Sequence, residues 1–438
     1  IMNKKTGILL LLPLALCLSM GYAEAESIPV QRKAVISHSQ TMKKPVKKAA
    51  ARKPAAKGAP RKGAAKTAEP ENSRKTGSLG PDVEVGLLSG GEVSLSGLLD
   101  FKAESDGKVV GTYGNGTRLS VTRSGNTILL NGKKAGSQVY LTTGRSDPSF
   151  AVKGNRYRGR IKIIPSSWGS GVTVVNVVPM ELYVQGVVPS EIVPSWRPDA
   201  IKAQAVAART YAAFHKNGYR SSGYDVTDDT RSQVYKGASV ETESTNRAVK
   251  ETAGEVITYG GKPIDALFHS SGGGYTENSE NVWGSTVPYL RGVKEYYIGN
   301  PWTKTVPLSS FLHTMNSAGY NVGKLKGIKL SKLHIGEAHH TADRGISGRV
   351  KTVELIGKNG TKTITGERLS SLYGLDSTLF DLSVKGSNLV ITGYGYGHGL
   401  GLSQWGAEEM AEKQGNGKDF YKTILTHYFT GTKIEKIY

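Results

Sequence analysis

Residues 198–215 read PDAIKAQAVAARTYAAFH, and our prediction of the fold starts from the helix in this segment. Pro198 and Asp199 are typical of the first turn of a helix, and Gly218 ends the pattern. One apolar stripe recurs at helical spacing: Ile201, Ala205, Ala208 and Ala212. Because so many side chains of this stretch are small, we predict a helix that packs closely against neighbouring backbone.

The sequence on both sides of this helix has the pattern of antiparallel β structure. Short apolar runs rich in β-branched residues precede it at 83–88, 93–99, 109–113, 128–130, 157–164 and 172–178. Asn131-Gly132 is a strong tight-turn signal. Residues 250–380 alternate strands with glycine-rich turns, and short helices are predicted after Ser403 and over 420–428. We therefore predict an α+β fold, mainly antiparallel β, with the alanine-rich helix beside a glycine-lined cleft.

The first 25 residues have the features of a secretory signal peptide. Lys4 and Lys5 precede an apolar run over 8–20, and the cleavage pattern Ala23-Glu24-Ala25 follows it. The run is short for a membrane span, so cleavage is favoured over an uncleaved anchor. We therefore expect an exported protein of the periplasm or the cell wall.

The chain of 438 residues has a formal net charge of +21, which is concentrated in one segment. Residues 31–80 contain 14 basic side chains and only two acidic ones. The Ala-, Lys- and Pro-rich composition of 26–80 predicts a disordered basic arm with too little apolar surface to fold. Such an arm either adheres to anionic wall polymers or a membrane surface, or is a plain spacer. Export argues against a nucleic-acid partner.

Cysteine and histidine usage bears on metal and thiol chemistry. Cys17, inside the predicted signal peptide, is the only cysteine, so a cleaved chain has no disulfide and no cysteine nucleophile. The histidines at 334, 339 and 340 lack the spacing and the nearby acids typical of metal sites, and we interpret them as loop residues. We expect neither a metal nor a cofactor.

A candidate catalytic acid stands at Glu191, just beyond an apolar run that begins at Tyr183 and ends at Pro189. Desolvation at the edge of an apolar surface disfavours the charged form of a carboxyl group. The resulting rise in pKa suits a general acid that works near neutral pH. The competing interpretation is a residue that only caps or precedes the following helix.

Two further segments are rich in polar or small residues. Residues 224–235 contain three acids within five positions, Asp225, Asp228 and Asp229. We favour a polar loop there over a second catalytic carboxylate or a cation site. Residues 269–276 read HSSGGGYT, and the three glycines would let this backbone approach a ligand closely, unless the segment is only a structural turn.

The most informative segment is 393–402, GYGYGHGLGL, in which every second residue is glycine. As a strand, it would have one bare face and one face that presents Tyr394, Tyr396, His398, Leu400 and Leu402. Bare backbone beside these aromatic and histidine side chains, with Gln404 shortly after them, suits a sugar-binding cleft. A tightly packed core strand is the alternative.

These segments, in this order, resemble the stage II sporulation protein D family, also called SpoIID/LytB or amidase-enhancer domains. The matching pieces are Tyr183–Glu191, Ala203–Tyr211, Ser232–Tyr235, Ser270–Glu277 with Trp283, Pro288–Leu290 and Gly395–Ala407. The resemblance extends over 82–438. We divide this region into a β-rich part at 82–165 and a catalytic part at 166–438.

The resemblance implies a lytic transglycosylase that acts on peptidoglycan glycan strands. Such enzymes cut the β-1,4 bond between N-acetylmuramic acid and N-acetylglucosamine and leave a 1,6-anhydro end. The family's catalytic glutamate maps onto Glu191, and one carboxyl group suffices, whereas hydrolysis usually recruits two. Some relatives have a zinc site formed with cysteines. Because the mature chain is expected to have no cysteine, we predict no zinc site of this kind. Other members are described as amidase enhancers, so the alternative is a non-catalytic protein that binds glycan and activates an N-acetylmuramoyl-L-alanine amidase.

The same resemblance yields candidate substrate contacts. Arg209 is expected in the cleft, where its guanidinium would hold a lactyl carboxylate or support the charge on Glu191. Gln204 and Arg209 diverge by about 140° around a regular helix, so both cannot face the cleft. Weaker candidates for sugar contacts are Tyr211, Gln233, Tyr235, Ser271, Trp283, His398 and Gln404.

Overall fold

The computed structural model describes residues 79–415 and 417–438. The predicted signal peptide lies outside the described residues, and so does the basic arm apart from its last two positions. The described architecture is α+β with mainly antiparallel sheets, which confirms the predicted fold class. Within this part of the chain, no helix is both long and apolar enough to cross a membrane.

Strands and helices are numbered separately in chain order. The strands are β1 (Asp82–Gly90), β2 (Val93–Gly97), β3 (Phe101–Ser105), β4 (Lys108–Tyr113), β5 (Arg118–Ser124), β6 (Thr127–Leu130), β7 (Lys133–Gly136), β8 (Val139–Thr142), β9 (Phe150–Val152), β10 (Asn155–Tyr157), β11 (Arg160–Pro165), β12 (Val172–Pro179), β13 (Val226–Thr227), β14 (Glu255–Tyr259), β15 (Lys262–Pro263), β16 (Phe268–His269), β17 (Trp302–Pro307), β18 (Leu325–Lys329), β19 (Thr352–Gly357), β20 (Gly360–Thr365), β21 (Phe380–Lys385), β22 (Asn388–Gly393), β23 (Leu402–Ser403) and β24 (Lys433–Lys436). The helices are α1 (Met180–Glu191), α2 (Pro198–Phe214), α3 (Glu243–Glu251), α4 (Ser279–Trp283), α5 (Leu308–Ser317), α6 (Gly366–Tyr373), α7 (Gln404–Gln414) and α8 (Phe420–Tyr428).

Two sheets share the first apolar core. One sheet has the order β13-β1-β12-β11-β8-β3-β4 and the other the order β10-β9-β2-β5-β6-β7. Inward side chains alternate along these strands, as with Leu119 and Val121 of β5, which are fully buried. Asn131 and Gly132 both have positive φ angles, as the predicted tight turn requires. Because β12 pairs with β1 along its whole length, this sheet crosses the boundary that we placed between 165 and 166.

Helix α2 confirms the predicted alanine-rich helix, and it lies between two apolar cores. The predicted stripe of Ile201, Ala205, Ala208 and Ala212 is buried in the core of the two sheets. The opposite side of α2 is buried in a second core with α7, α8 and β14, through Ala200, Ala203, Val206 and Ala207. A helix that is apolar on both sides has no solvent-facing stripe and is fixed from both directions.

Helix α1 was not predicted as a helix. Its valines and Pro189 favour extended structure, but packing overrides that preference. Gly186 lies so close to Tyr235 that an added Cβ would be 2.5 Å from the tyrosine ring. In the last turn, the Ser190 hydroxyl donates to the carbonyl of Gly186 over 3.0 Å. Helix α1 therefore ends tightly packed, with Glu191 as its final residue.

A third core lies between residues 302 and 393. Strands β17, β21 and β22 form one sheet, and β18, β19 and β20 form another. With α5 and α6 they enclose apolar side chains such as Phe311, Leu355 and Phe380. In sequence, this part separates the segment 268–295 from the segment 394–404. Both of those segments contribute to the candidate site.

The structure contradicts the expectation that Arg209 faces the cleft. Its guanidinium is fully buried and makes a two-bond ion pair with Glu181, at 2.8 and 2.7 Å. It also donates to the carbonyls of Glu255 and Val249. Glu181 is in the first turn of α1, ten residues before Glu191, so it is about 15 Å along the helix from the candidate acid. Arg209 therefore stabilises the packing of α2 on α1.

We predict that Arg209→Met lowers the free energy of unfolding by about 3 to 5 kcal/mol, because Glu181 would remain buried without its partner charge. Urea unfolding at neutral pH measures this change. The matched control is Arg160→Met, which removes the exposed pair with Asp82 and should cost less than about 1 kcal/mol. Equal losses for the two variants would contradict the structural role of Arg209.

Candidate active site

Glu191 is anchored by one carboxyl oxygen and open at the other. Its Oε1 accepts a hydrogen bond of 2.6 Å from the backbone N–H of Val234. Its Oε2 accepts no hydrogen bond from the described residues, and it is not sealed from solvent. The side chain is half-buried. This arrangement fixes the orientation of the carboxyl group and leaves one oxygen available to a ligand.

Two opposing effects determine the pKa of Glu191. Burial disfavours the carboxylate and raises the pKa, while the Val234 N–H stabilises the carboxylate and lowers it. Burial is the larger effect, and the pKa rises from 4.5 to about 7. No charged side chain of the described residues contributes to this balance. Near neutral pH, this group can therefore both donate and accept a proton.

Gln404, which also bonds to Gln204, holds the backbone at Glu191. The Gln404 amide donates to the carbonyl of Glu191 over 3.0 Å and to Oε1 of Gln204 over 3.3 Å. Gln404 is the first residue of α7, whose N-cap is Ser403. Gln204 therefore faces the candidate site while Arg209 faces away, in agreement with their predicted divergence around α2. Gln404 lies beside the candidate acid, and its contact with sugar stays a prediction.

The predicted sugar contacts between 211 and 235 differ in their surroundings. Tyr211 is half-buried, and its pKa is raised by burial first and to a lesser extent by nearby charges that include Glu191. Gln233 is buried and accepts from the Tyr183 hydroxyl at 3.0 Å. Tyr235 is in the first core, where its hydroxyl donates to Asn176. Tyr211 thus lies near Glu191, whereas Gln233 and Tyr235 support the site from within the core.

The carboxylates of the acidic segment 224–235 bond both to residues outside the segment and to residues within it. Asp225 accepts from Lys216 and from the backbone of Asn217. Asp229 pairs with Arg231. Burial raises the pKa of Asp228 to about 6. Among the described residues, no group of three potential ligands is placed to hold a metal ion. Apart from β13, the segment is irregular in structure, and it supplies the N–H of Val234.

The strand interpretation of 393–402 is wrong. Strand β22 ends at Gly393, and the glycines at 395, 397, 399 and 401 have φ angles of +66°, +100°, +80° and +69°. These values lie in the left-handed region, where glycine avoids the strain that other residues incur. An added Cβ would lie 2.2 Å from the Leu267 carbonyl at Gly401 and 2.8 Å from the Ser271 carbonyl at Gly395. The glycines therefore permit a close backbone-to-backbone contact rather than a bare strand face.

Two buried charged side chains hold the glycine-rich segments together. Oε1 of Glu295 accepts from the N–H of Gly274 over 2.8 Å. Arg349 donates to the carbonyl of Gly397 over 3.0 Å and to that of Gly272 over 3.4 Å. Burial raises the pKa of Glu295 and lowers the pKa of Arg349 to about 10. These contacts shape the backbone around Ser271 and Tyr396, next to α7.

Two predicted contact residues, Ser271 and His398, lie in these glycine-rich segments, and a third, Trp283, lies outside them. Ser271 is almost fully buried, and its hydroxyl has no hydrogen-bond partner among the described residues. The His398 ring bonds to the backbone of Phe268 and Leu400. Burial lowers the pKa of His398 to about 4, so its ring is uncharged at neutral pH. Trp283 ends α4 on the surface, 42% exposed, and no hydrogen bond or ring contact joins it to Glu191.

Fold and site together define a mainly antiparallel α+β protein whose candidate site is built on one half-buried glutamate. A protein-family model described as Stage II sporulation protein matches residues 169–259, which include Glu191, α2 and the 224–235 loop. Stage II sporulation protein D of Bacillus subtilis is 35% identical over 282 residues, covering 60% of this chain and 76% of that protein. The chain therefore belongs to the stage II sporulation protein D family.

Two other relatives extend this comparison. An uncharacterized protein of Brachyspira hyodysenteriae is 33% identical over 290 residues, which are 65% of this chain and 74% of that protein. An amidase enhancer of Bacillus subtilis is 32% identical over 406 residues. That alignment covers 82% of this chain but only 53% of the enhancer. The similarity thus extends well beyond the segment that the family model matches.

We predict that Glu191→Gln stabilises the protein at alkaline pH. The pKa of Glu191 is about 7 in the folded state, against an ordinary value of 4.5. The contribution of this group to stability is therefore complete below pH 4.5 and is lost as the pH rises through 7. Gln keeps the acceptor for Val234 and does not ionise, so the variant should gain at most about 3 kcal/mol above pH 7.

Urea unfolding from pH 4 to pH 9 measures this difference. Glu92→Gln, at an exposed glutamate, controls for the loss of one carboxyl group from the net charge. We expect the Glu191→Gln curve to separate from the wild-type curve between pH 4.5 and 7. A constant difference over the whole range would contradict the raised pKa.

Proposed function

We propose that this protein is a lytic transglycosylase that cuts the β-1,4 bond between N-acetylmuramic acid and N-acetylglucosamine. Membership in the stage II sporulation protein D family supports a cell-wall-related function. The observation that carries the finer proposal is the Glu191 carboxyl group. It has one anchored oxygen, one open oxygen and a pKa of about 7.

In the proposed reaction, one carboxyl group performs both proton transfers. Protonated Glu191 donates its proton to the glycosidic oxygen, and the bond from that oxygen to C1 of N-acetylmuramic acid breaks. The carboxylate then takes the proton of the C6 hydroxyl of the same sugar, whose oxygen bonds to C1. The product is a 1,6-anhydro end, no water is consumed, and Glu191 is again protonated. Among the described residues, no charged side chain contributes to the pKa of Glu191, and this fits the single-acid scheme.

The neighbouring groups have supporting roles in this proposal. The Val234 N–H keeps the carboxyl group oriented, and Gln404 fixes the end of α1 from which it projects. The pKa of Tyr211 is raised mainly by burial and in small part by the charge of Glu191, so we propose Tyr211 as a further sugar contact near the acid. Ser271 and His398 line the glycine-rich segments, and Trp283 would contact the glycan only at its periphery. None of these roles requires a metal or a cofactor.

The second candidate function is enhancement of a cell-wall amidase without catalysis. It is favoured by the similarity to the Bacillus subtilis amidase enhancer, which covers 82% of this chain. In this alternative, the protein binds glycan strands and activates an N-acetylmuramoyl-L-alanine amidase. For either function we propose export to the periplasm or the cell wall, with residues 31–80 attached to anionic wall polymers or a membrane surface.

We predict that Glu191→Gln reduces the release of anhydro-disaccharides by about 100-fold or more, because a general acid and base is lost. The substrate is purified peptidoglycan glycan, both intact and stripped of stem peptides, and mass spectrometry identifies the products. Glu92→Gln is the matched control and should cut at the wild-type rate. Undiminished cutting by Glu191→Gln would contradict the proposal.

The enhancer function predicts a different pattern in the same experiment. The wild-type protein alone would release no anhydro product, but it would accelerate an added N-acetylmuramoyl-L-alanine amidase. Glu191→Gln would then stimulate the amidase as well as the wild type does. Anhydro products from the wild type, lost in Glu191→Gln, would exclude this alternative.

A further inference from the structure

Four aromatic side chains lie on segments that contact the backbone near Glu191, and we call them the aromatic strip: Trp196, Trp405 and Tyr297, whose rings are in contact, and Tyr396 on the neighbouring backbone. The rings of Trp196 and Trp405 meet edge to face, with centroids 4.7 Å apart. Trp405 and Tyr297 are stacked at 5.0 Å with an angle of 17° between their planes. Tyr396 is 45% exposed, and the other three rings are half-buried.

The backbone places this strip next to the candidate acid. Trp405 directly follows Gln404, whose amide holds the carbonyl of Glu191. The N–H of Trp405 donates to the carbonyl of Ser270. Tyr396 exchanges two backbone hydrogen bonds with Ser271, at 3.2 and 2.8 Å. The backbones of Trp405 and Tyr396 are therefore bonded to two consecutive residues, Ser270 and Ser271.

The two remaining rings are attached to elements that also form the site. Trp196 is in the connection between α1 and α2, five residues after Glu191. Tyr297 is two residues after Glu295, the buried acid that binds the N–H of Gly274. The strip is thus held in place by the same contacts that shape the glycine-rich segments.

The apolar cores do not account for this strip. Trp405, Tyr297 and Tyr396 belong to none of the three cores of the described residues, and only Trp196 packs partly against one of them. A contiguous group of partly exposed aromatic rings is typical of a ligand-binding surface. Aromatic residues with polar tips suit ligands that have both apolar and polar surfaces. A pyranose ring is such a ligand, with apolar faces and hydroxyls at its edge.

We propose that the aromatic strip binds successive pyranose rings of the glycan strand on one side of the bond that Glu191 cuts. The inference rests on the proposed function, because glycan is the ligand expected at Glu191. The sugar faces lie against the exposed parts of the rings, and the tyrosine hydroxyls bond to the sugar edges. The strip contributes binding along the strand and takes no part in proton transfer.

The test measures the binding of chitotetraose, a β-1,4 oligomer of N-acetylglucosamine, by the full chain that carries Glu191→Gln. In this background, Trp405→Leu and Tyr396→Ala should each raise Kd by about 3- to 10-fold, as expected for the loss of one aromatic contact. Trp168→Leu is the matched control, since Trp168 is 81% exposed and far from the strip in sequence. It should leave Kd unchanged.

Two further readouts separate binding from structure and from catalysis. Chitotetraose should shift the tryptophan fluorescence of the parent and of Trp168→Leu, and much less that of Trp405→Leu. With an active Glu191, Tyr396→Ala should raise KM for glycan and leave kcat unchanged. If the protein cuts no glycan at all, the binding data still test the strip, so the two proposals fail separately.

Three results would overturn the inference. The first is an unchanged Kd in both Trp405→Leu and Tyr396→Ala. The second is a weaker affinity only in Trp405→Leu, together with a lower thermal stability, because the ring would then be structural. The third is intact sugar binding with loss of amidase stimulation, which would make the strip a protein-docking surface.

Discussion

The structure depends on helix α2, whose small side chains allow it to be buried on both sides. Alanines on opposite sides of α2 let two apolar cores approach the same backbone. Helix α1 packs on α2 through the first core, and α7 packs on it through the second. These two helices supply Glu191 and Gln404, and the Gln404 amide bonds both to the carbonyl of Glu191 and to Gln204 of α2. A bulkier α2 would separate the acid from the segments that surround it, because protein interiors have little free volume.

The pKa of Glu191 in the candidate site is determined by two effects: desolvation raises it, and one hydrogen bond lowers it. Full burial would make Glu191 a permanently neutral acid, and full exposure would leave it ionised at neutral pH. Half-burial with a single N–H donor yields a pKa of about 7. The same environment costs stability whenever the group is ionised, as is common for residues that serve function rather than folding. The glycine-rich segments and their buried partners, Glu295 and Arg349, keep this environment fixed.

Local patterns predicted much of the fold and one residue of the site. Helix α2 and the early strands followed from periodicity and turn residues, which act within a few positions. Helix α1 was missed because its valines and Pro189 are stabilised there only by distant contacts. Arg209 was misplaced because its partner, Glu181, is 28 residues away in that missed helix. The alternation of 393–402 fits a strand, but contacts with 267–272 impose left-handed glycines. The hydrogen bond from the Val234 N–H was not predicted, because any residue type can supply a backbone donor and the sequence pattern does not identify it.

The account rests on a carboxyl group that stays partly protonated near neutral pH. Carbon-13 NMR titration of the glutamate carboxyl carbons in the full chain tests this directly, with Glu191→Gln used to assign the signal of Glu191. The account predicts a midpoint at about 7 for this signal. A midpoint near 4.5, the ordinary value, would contradict it, because Glu191 would then hold no proton to donate at neutral pH.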